Sequence, residues 1–383
     1  MKKIVIVNQS SNYLMLDIAR AYKNSSQYED VVVMYGNPQV LRLSVEDKIK
    51  VDRIKFYNKK SIVTRFWSWI IGTIQIACKA RTTYRDYELL LVSNPPTIHF
   101  LTYLCGNKYS TLVYDVYPDG IVSGGFVTEK SLIFKLWSLA AKRFYKGSDH
   151  IFAISDGIAN KVRKYCPLGR IEIIPLWSNK QIHRVEKQEN LFVKKYGLED
   201  KFIVLYSGNI GKGSNIKVLV DLARAMRANV NVQFVVIGEG MEKPLVENAI
   251  KSEGLSNIML LPYQPLEILS HSLSSADLAY VSVEAKAANV CIPSKTFNLL
   301  NVETPFICIA SKNAEITKFI NSYRIGKVFG ADEIKNMVAF INEFLNDHSL
   351  LEEFRSNIQS IKGEYSFLNA KKFVKYDKSL QNE

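Results

Sequence analysis

The sequence is poor in the features that mark extracellular, metal-binding or nucleic-acid-binding proteins. Its five cysteines contain no Cys-x-x-Cys pair, so we expect free thiols in a reducing cytoplasm rather than disulfides or zinc ligands. The apolar run Ile4–Val7 is too short for the core of a signal peptide. No helix-turn-helix, RNP or zinc-finger pattern is present, and no nucleic-acid partner is therefore expected.

The sequence also lacks an apolar run that could cross a bilayer, which takes about 20 residues. The best candidate, Phe66–Cys78, is shorter and follows Arg65, within a segment, Lys48–Arg85, that alternates basic and aromatic residues. Such a segment can lie in the membrane interface, with Trp and Phe toward the lipid and Lys and Arg at the headgroups. It can equally be a packing helix with a cationic solvent face, and the sequence leaves both interpretations open.

The positive charge is unevenly distributed along the chain. Residues 1–190 contain 28 Lys and Arg against 16 Asp and Glu, a net charge of +12, whereas residues 191–383 contain 22 against 21, a net charge of +1. A basic first half indicates an anionic partner. Since nucleic acid is not expected, we expect an anionic substrate or the anionic inner leaflet of a membrane.

Strand and helix patterns alternate along all 383 residues, without repeats or low-complexity tracts. This alternation predicts parallel sheets with helices on both faces, and the length suits two domains. We expect an α/β protein with two tandem Rossmann-like, doubly wound domains at residues 1–180 and 191–365 and a cleft between them. The polar segment 175–190 is interpreted as a linker, and residues 366–383 are predicted to form a helix that packs back toward the first domain.

At mid-chain, a short apolar strand is followed by a glycine-rich turn. Phe202–Tyr206 is apolar, Ser207–Gly213 supplies three glycines and Lys212, and an amphipathic pattern begins at Ile216. A strand, a glycine-rich turn and a helix start direct backbone N–H groups and a helix dipole at phosphate. Lys212 adds a mobile positive charge. The stretch therefore predicts a phosphate-binding loop.

Six ordered segments carry a family resemblance. They are Val113–Asp119, Ser148–Ser155, Ser207–Lys212, Ile237–Gly240, Ala276–Val283 and Cys291–Ile307. Together they resemble glycosyltransferase family 4, in the branch that builds bacterial surface polysaccharides, and the resemblance extends from Lys2 to about Tyr376. It implies the GT-B fold, with the acceptor bound by the first domain and a nucleotide-sugar donor by the second.

The resemblance implies a donor site built from protein groups. Sugar transfer releases a nucleoside diphosphate whose growing negative charge must be neutralised, and the sequence has no Asp-x-Asp motif, so we expect neither a metal nor a cofactor. Lys212 and Lys295 are the candidates for neutralising this charge, with the backbone N–H groups of Gly208, Asn209, Ser294 and Lys295. The candidate donor-binding residues are Gly208, Asn209, Gly211, Gly238, Glu239, Pro262, Tyr263, Gln264, Pro293, Ser294 and Asn298.

Candidate acceptor-binding residues lie at strand ends of the first domain. Asp115 ends a predicted strand and is the candidate to orient the acceptor hydroxyl or to act as a base. The other candidates are Ser10, Ser11, Asn94, Asp119, Ser123 and Gly124. His99 is interpreted as a packed residue rather than a catalytic one.

The chain departs from the family at the sugar end of the donor site. Asn298 and Val290 stand where the family usually carries two glutamates. Glu284 is the nearest acid, but its register is wrong for either position. Tyr114 stands where the family frequently has a histidine.

The resemblance implies a glycosyltransferase, and the cysteine usage and the basic, aromatic first half favour a cytoplasmic protein that is peripheral on the inner face of the plasma membrane. We expect it to move a sugar from a UDP- or GDP-sugar to a lipid-diphosphate-linked saccharide in capsule, O-antigen or exopolysaccharide synthesis. The resemblance implies a retaining, metal-independent reaction. Two alternatives stay open: a UDP-sugar 2-epimerase of the same fold, and a non-catalytic partner subunit that binds a nucleotide-sugar or a lipid.

Overall fold

The chain divides into two compact units in a computed structural model that describes residues 1–37, 48–58, 61–123, 127–284, 292–347 and 349–375. One unit comprises Met1–Pro175 and the chain from Phe367 onward, and the other comprises Leu176–Ser366. Residues 176–190, interpreted above as a linker, thus belong to the second unit. Trp177 is buried there, and the Ser178 N–H donates to the Tyr365 carbonyl oxygen over 3.1 Å.

Each unit contains one parallel sheet in the described ranges. The first-unit strands are β1 (Lys2–Asn8), β2 (Tyr28–Tyr35), β3 (Lys50–Arg53), β4 (Glu88–Val92), β5 (Tyr109–Val113), β6 (Ile151–Ala153) and β7 (Ile171–Ile173). The second-unit strands are β8 (Phe202–Ser207), β9 (Val232–Ile237), β10 (Ile258–Leu261), β11 (Leu278–Ser282), β12 (Phe306–Ile309) and β13 (Gly326–Phe329). Their apolar runs are buried on both faces, which is typical of parallel strands covered by helices.

Helices connect these strands. They are α1 (Tyr13–Lys23), α2 (Ile62–Arg81), α3 (Asp119–Ser123), α4 (Leu132–Lys146), α5 (Asp156–Arg163), α6 (Leu191–Tyr196), α7 (Ile216–Ala225), α8 (Lys243–Ser252), α9 (Leu266–Ser274), α10 (Lys295–Asn301), α11 (Glu315–Tyr323), α12 (Ile334–Asn346), α13 (Ser349–Ile361) and α14 (Lys372–Lys375). Short 3₁₀ helices span Pro96–Tyr103, Lys187–Glu189, Lys212–Ser214, Lys362–Tyr365 and Phe367–Lys371. No helix in the described ranges has both the length and the hydropathy needed to span a bilayer.

Strand order places a switch point in each sheet. The first sheet runs β3-β2-β1-β4-β5-β6-β7, and the second runs β10-β9-β8-β11-β12-β13. In each sheet the order reverses beside the unit's first strand, between β1 and β4 and between β8 and β11. Ligands of open α/β sheets bind at the carboxyl ends of the strands at such points. The loops after β1, β4, β8 and β11 are therefore the expected ligand-binding positions.

The two parallel sheets with alternating helices confirm the predicted fold class. The pattern does not predict β3, because its side chains are mostly charged and its stability comes from pairing with β2. Nor does it predict α6, which is one short helix capped by Asn190, whose side chain accepts from the Phe192 N–H over 2.9 Å.

The end of the described chain packs on the first unit. The Phe373 ring lies 4.7 Å from the Phe152 ring, between centroids. The Tyr22 hydroxyl donates to the Phe373 carbonyl oxygen over 3.2 Å. The segment thus covers β6 and α1 of the first unit.

Candidate functional site

The glycine loop, Ser207–Ser214, follows β8 and is anchored on both sides. The Ile210 N–H donates to the Glu239 carbonyl oxygen over 2.8 Å, beyond the end of β9. On the other side, the Asn215 side-chain amide donates to the Ser282 hydroxyl of β11 over 2.6 Å. These bonds fix the loop at the switch point of the second sheet.

The backbone donors of this loop are divided between structure and solvent. The Gly208 N–H donates to the Ile237 carbonyl oxygen over 2.9 Å, so the expectation that this group is available to phosphate is wrong. The N–H groups of Asn209 and Gly211 have no acceptor among the described residues. These two groups remain available as donors to a ligand.

Lys295 reaches the glycine loop from the first residue of α10. Its Nζ atom lies 4.1 Å from the centroid of the Tyr206 ring, a cation–π contact. Burial of the ammonium group lowers the pKa of Lys295 to about 8, and the neighbouring Cys308 opposes this shift. The lysine still keeps part of its surface accessible. A desolvated, partly accessible cation next to free N–H groups is suited to bind an anion.

The loop and the start of α10 border one open cavity of about 460 Å³. This volume lies in the range of small-molecule sites, about 300–1,000 Å³. The sequence-predicted residues that line it are Gly208, Asn209, Gly211, Lys212, Pro293, Ser294 and Lys295. Both candidate lysines therefore border the same space.

The other candidate donor-binding residues stand outside this cavity lining. Gly238 is buried, and a Cβ atom there would lie 1.9 Å from the Gly208 carbonyl oxygen, so its role is close backbone packing. Glu239 is exposed and pairs with Lys243 over 3.0 Å. The three residues that follow β10 are Pro262, Tyr263 and Gln264: the first two are exposed, and the Gln264 amide donates to the Pro262 carbonyl oxygen over 2.8 Å.

Asn298 already uses its carbonyl oxygen within the second unit. This oxygen accepts from the Asn179 N–H over 3.1 Å. Asn298 lies one helical turn after Lys295 and lines a smaller cavity of about 170 Å³ with it. The Asn298 side chain thus holds the segment before α6 against α10.

Asp115 follows β5 in the first unit. The N–H groups of Tyr114 and Asp115 both donate to the Ser93 hydroxyl, over 2.9 and 3.1 Å, which fixes the turn beside the end of β4. Asp115 keeps an exposed surface, but the atoms crowded around its carboxyl remove enough water to raise its pKa, and Lys161 opposes this shift. A carboxylate with a raised pKa is a better proton acceptor.

The remaining acceptor-binding candidates fall into two groups. The Asn94 side-chain amide donates to the Ser10 hydroxyl over 3.0 Å, so these two residues meet at the switch point of the first sheet. Ser11 is buried, and its hydroxyl donates to the Asn8 carbonyl oxygen over 2.6 Å. Asp119 accepts from the Tyr165 hydroxyl and lies 3.6 Å from the Lys164 ammonium. The Ser11 and Asp119 side chains therefore already have hydrogen-bond or ion-pair partners within the first unit.

Two further candidates lie at the end of the described range 61–123 and just beyond it. Ser123 is the last residue of α3, and Gly124 lies outside the described residues. Of the histidines, His99 is fully buried, and its Nδ1 accepts from the Trp137 indole N–H over 3.2 Å. This burial agrees with the interpretation of His99 as a packed residue, and it lowers the pKa of His99 to about 3.

The sequence does not predict that Tyr206 and Glu284 lie at the glycine loop. Tyr206 looks like a core residue of β8, yet its ring lies under Lys295 and its hydroxyl donates to the Asn209 carbonyl oxygen over 2.5 Å. Glu284 is out of register with the glutamates that the resemblance predicts, yet its Cγ atom lies 3.7 Å from the position of a Cβ at Gly213. The available signal for Glu284 was spatial: it follows β11, the neighbour of β8.

No group of three or more His, Cys, Asp or Glu side chains within the described ranges is arranged to hold a metal ion. The four cysteines in those ranges are free thiols.

Comparison with known proteins places this arrangement in context. Residues 188–360 match the family described as "Glycosyl transferases group 1". The chain is 22% identical over 276 residues to the "Probable glycosyltransferase WbjE" of Pseudomonas aeruginosa, covering 70% of this chain and 69% of that protein. It is 26% identical over 202 residues to the "Putative colanic acid biosynthesis glycosyl transferase WcaI" of Escherichia coli, covering 51% of this chain and 49% of that protein.

A solved structure shares the fold over nearly the whole chain. Anabaena HepE, solved in complex with UDP and glucose, superposes with a TM-score of 0.72 at 13% identity and covers 98% of each chain. At this identity the likeness shows the fold alone. The fold is GT-B, with two Rossmann-like domains.

Proposed function

We propose that this glycosyltransferase, whose residues 188–360 match the group 1 family, transfers a sugar from a UDP- or GDP-sugar to a lipid-diphosphate-linked saccharide in bacterial surface-polysaccharide synthesis. We place it in family 4, with a retaining reaction. The name of the relative WcaI refers to colanic acid biosynthesis, and HepE was solved with UDP and glucose. The observation that carries the proposal is the cavity lined by both Lys212 and Lys295.

The donor diphosphate binds in that cavity in our account. Negative charge grows on the diphosphate as the sugar–oxygen bond breaks, and groups aimed at it in advance lower the barrier. Lys295 supplies a desolvated cation, Lys212 supplies a mobile one, and the N–H groups of Asn209 and Gly211 complete the cradle. Because the sequence has no Asp-x-Asp motif, we propose that these protein groups, rather than a divalent metal, neutralise the leaving group.

Glu284 is our proposal for the group that binds the donor's sugar. Its side chain lies against Gly213, beside the diphosphate cradle, and a carboxylate accepts hydrogen bonds from sugar hydroxyls. Replacing Glu284 with Gln should raise KM for the nucleotide-sugar while the affinity for UDP stays constant. An equal loss of affinity for both ligands would contradict this assignment.

Asp115 is our proposal for the group that orients the acceptor. Its raised pKa suits a carboxylate that accepts a hydrogen bond, or a proton, from the acceptor hydroxyl. Ser10 and Asn94, joined by a hydrogen bond at the same strand edge, are proposed to bind the acceptor's sugar.

We also propose that the enzyme works at the inner face of the plasma membrane, as a peripheral protein. Large apolar side chains are exposed on α2 and α4, among them Trp67 at 57% and Leu132 at 70% of full exposure. These helices belong to the basic half of the sequence. Exposed apolar side chains with nearby cationic ones suit an anionic membrane surface.

A panel of nucleotide-sugars tests the proposed reaction. Incubating the purified protein with UDP- and GDP-sugars should release UDP or GDP by slow donor hydrolysis, since water replaces the absent acceptor. A changed sugar on an intact nucleotide would instead identify a 2-epimerase. No turnover across the panel would indicate a non-catalytic subunit, and either of these outcomes would overturn the proposal.

A further inference from the structure

The first unit carries an apolar groove between α2, the 3₁₀ helix Pro96–Tyr103 and α4. Its volume is about 520 Å³, within the range of small-molecule sites. Side chains from both helices form its walls, including Phe66, Trp69, Ile74, Ile133 and Trp137. A concave site lined mainly by apolar and aromatic side chains, with few polar groups, is typical of small-molecule binding sites.

Apart from Arg65, the groove offers almost no hydrogen-bonding group. Its two threonines, Thr73 and Thr97, have hydroxyl oxygens 2.6 Å apart, and the Thr97 hydroxyl also donates to the Trp69 carbonyl oxygen over 3.1 Å. A peptide or a saccharide would therefore lose hydrogen bonds to water on entering, at a cost in free energy. A hydrocarbon chain has no such bonds to lose and gains from the burial of its surface.

One charge lies in this apolar lining. Arg65 is the only charged residue among the described residues that line the groove. Its Nε atom is buried and has no hydrogen-bond partner among the described residues. A guanidinium with unused donors is suited to bind phosphate oxygens. The groove thus matches a hydrocarbon chain that bears an anionic group.

Aromatic side chains connect Arg65 and the groove to Asp115. The groove residue Trp137 stacks on Tyr117, with ring centroids 6.5 Å apart. Burial raises the pKa of Tyr117, the Asp115 carboxylate raises it further, and the Arg65 guanidinium opposes the shift. Tyr57 responds to the same two charges in the same directions, and its ring lies 5.9 Å from that of Trp69. The charges of Arg65 and Asp115 therefore both act on the same two tyrosines.

We propose that this groove binds the hydrocarbon chain of the acceptor's lipid carrier and that Arg65 binds its diphosphate. The saccharide beyond the diphosphate then lies at Asp115. This inference rests on the proposed transfer to a lipid-linked acceptor and names the part of the first unit that recognises the lipid. It differs from membrane contact, because one chain enters the groove and the exposed faces outside it are not required.

Prenyl diphosphates without a sugar test the groove directly. We expect farnesyl diphosphate to bind the full-length protein saturably in calorimetry, and to bind more tightly than either farnesol or inorganic pyrophosphate. Going from geranyl to farnesyl diphosphate should tighten binding, by up to about fourfold for each further methylene buried. Equal affinity of pyrophosphate and farnesyl diphosphate would overturn the proposal.

Neighbouring residues of α4 give a matched pair of variants. Ile133 lines the groove and Leu132 does not, although both are largely exposed and either substitution should leave the fold intact. Ile133→Asp should weaken farnesyl diphosphate binding at least about tenfold, whereas Leu132→Asp should leave it within about twofold. Ile74→Asp on α2 provides a second groove variant. Equal effects of the Leu132 and Ile133 substitutions would point to non-specific lipid adsorption and refute the groove.

Arg65→Gln separates the head group from the chain. It should reduce the affinity for farnesyl diphosphate about tenfold or more, toward that of farnesol, and leave farnesol binding unchanged. An unchanged farnesyl diphosphate affinity would refute the role of Arg65. Donor hydrolysis is independent of the groove, so a wild-type protein that hydrolyses the donor but does not bind farnesyl diphosphate would reject this inference alone. Lipid binding without any hydrolysis rejects the proposed transfer instead.

Discussion

Replacing Lys295 with Met should stabilise the protein while removing donor binding. Burial lowers the pKa of Lys295 from 10.5 to about 8, and each pKa unit corresponds to about 1.4 kcal/mol. The charged lysine thus costs at most about 3.5 kcal/mol at pH 7. Its cation–π contact with Tyr206 offsets about 0.5–2 kcal/mol of this cost. Because part of the side chain remains accessible, screening reduces the cost further, and we expect a net gain of about 1–2 kcal/mol for Lys295→Met.

The pH dependence of this gain tests its cause. Native Lys295 loses its proton near pH 8, whereas the unfolded chain keeps it up to about pH 10.5. Between these values the unfolded state binds more protons, so the wild-type free energy of unfolding rises with pH relative to that of the variant. Urea unfolding at pH 7, 8, 9 and 10 should show the largest gain at pH 7 and a shrinking one above pH 8.

Lys327 provides the control for this experiment. It is exposed, with its Nζ atom 5.1 Å from the centroid of the Phe340 ring, so it also has an aromatic neighbour. Lys327→Met should change neither stability nor UDP binding. A Lys295→Met variant that is less stable than the wild type, or a gain that does not vary with pH, would refute the reasoning.

Three further predictions concern the two candidate sites. UDP affinity, measured by calorimetry at constant ionic strength, should fall up to about tenfold per pH unit above pH 8, because neutral Lys295 must take up a proton to bind the diphosphate. Lys295→Arg should make UDP affinity independent of pH in this range. A wild-type UDP affinity that does not vary with pH would contradict this prediction. Asp115→Asn should lower kcat for transfer about 10²-fold or more with donor hydrolysis unchanged. In the wild type, kcat should begin to fall at a higher pH than an ordinary carboxyl group would give, since the pKa of Asp115 is raised. An unaltered kcat in the variant would count against the assignment. Gly238→Ala should lower the free energy of urea unfolding by a few kcal/mol, because its Cβ would lie 1.9 Å from the Gly208 carbonyl oxygen. Gly254 has a φ of +66° and open space around it, so Gly254→Ala should lower the free energy of unfolding by only about 1 kcal/mol. Equal losses in the two variants would reject the packing role of Gly238.

The sequence predicts the glycine loop well because its signals are local. The apolar run of β8, the glycines after it and the start of α7 at Ile216 are all contained in about fifteen consecutive residues. The same holds for the alternation of strands and helices, which follows from side-chain periodicity alone. Such local patterns predict the backbone conformation of a segment, and this prediction does not require knowledge of the distant residues that the segment contacts.

The partners of these residues could not be predicted, because they come from distant parts of the chain. Tyr206 and Lys295 come into contact only when α10 packs beside β8. The sequence of neither segment predicts this contact. Asn298 stands where the resemblance predicts a glutamate, yet its carbonyl oxygen accepts from the Asn179 N–H. The apolar groove likewise needs α4, whose exposed Ile133 has no local mark that sets it apart from Leu132.

The claim that the glycine loop binds the donor's diphosphate is tested most directly by UDP binding to the Lys212→Ala variant. Lys217 is the matched control, since it is exposed, lies five residues further on and pairs with Asp221 over 2.7 Å. A charge-assisted hydrogen bond contributes about 1.5–3 kcal/mol. Calorimetry should therefore show about 10- to 100-fold weaker UDP binding for Lys212→Ala and less than about a twofold change for Lys217→Ala. Unchanged affinity in Lys212→Ala, or equal losses in both variants, would contradict the account.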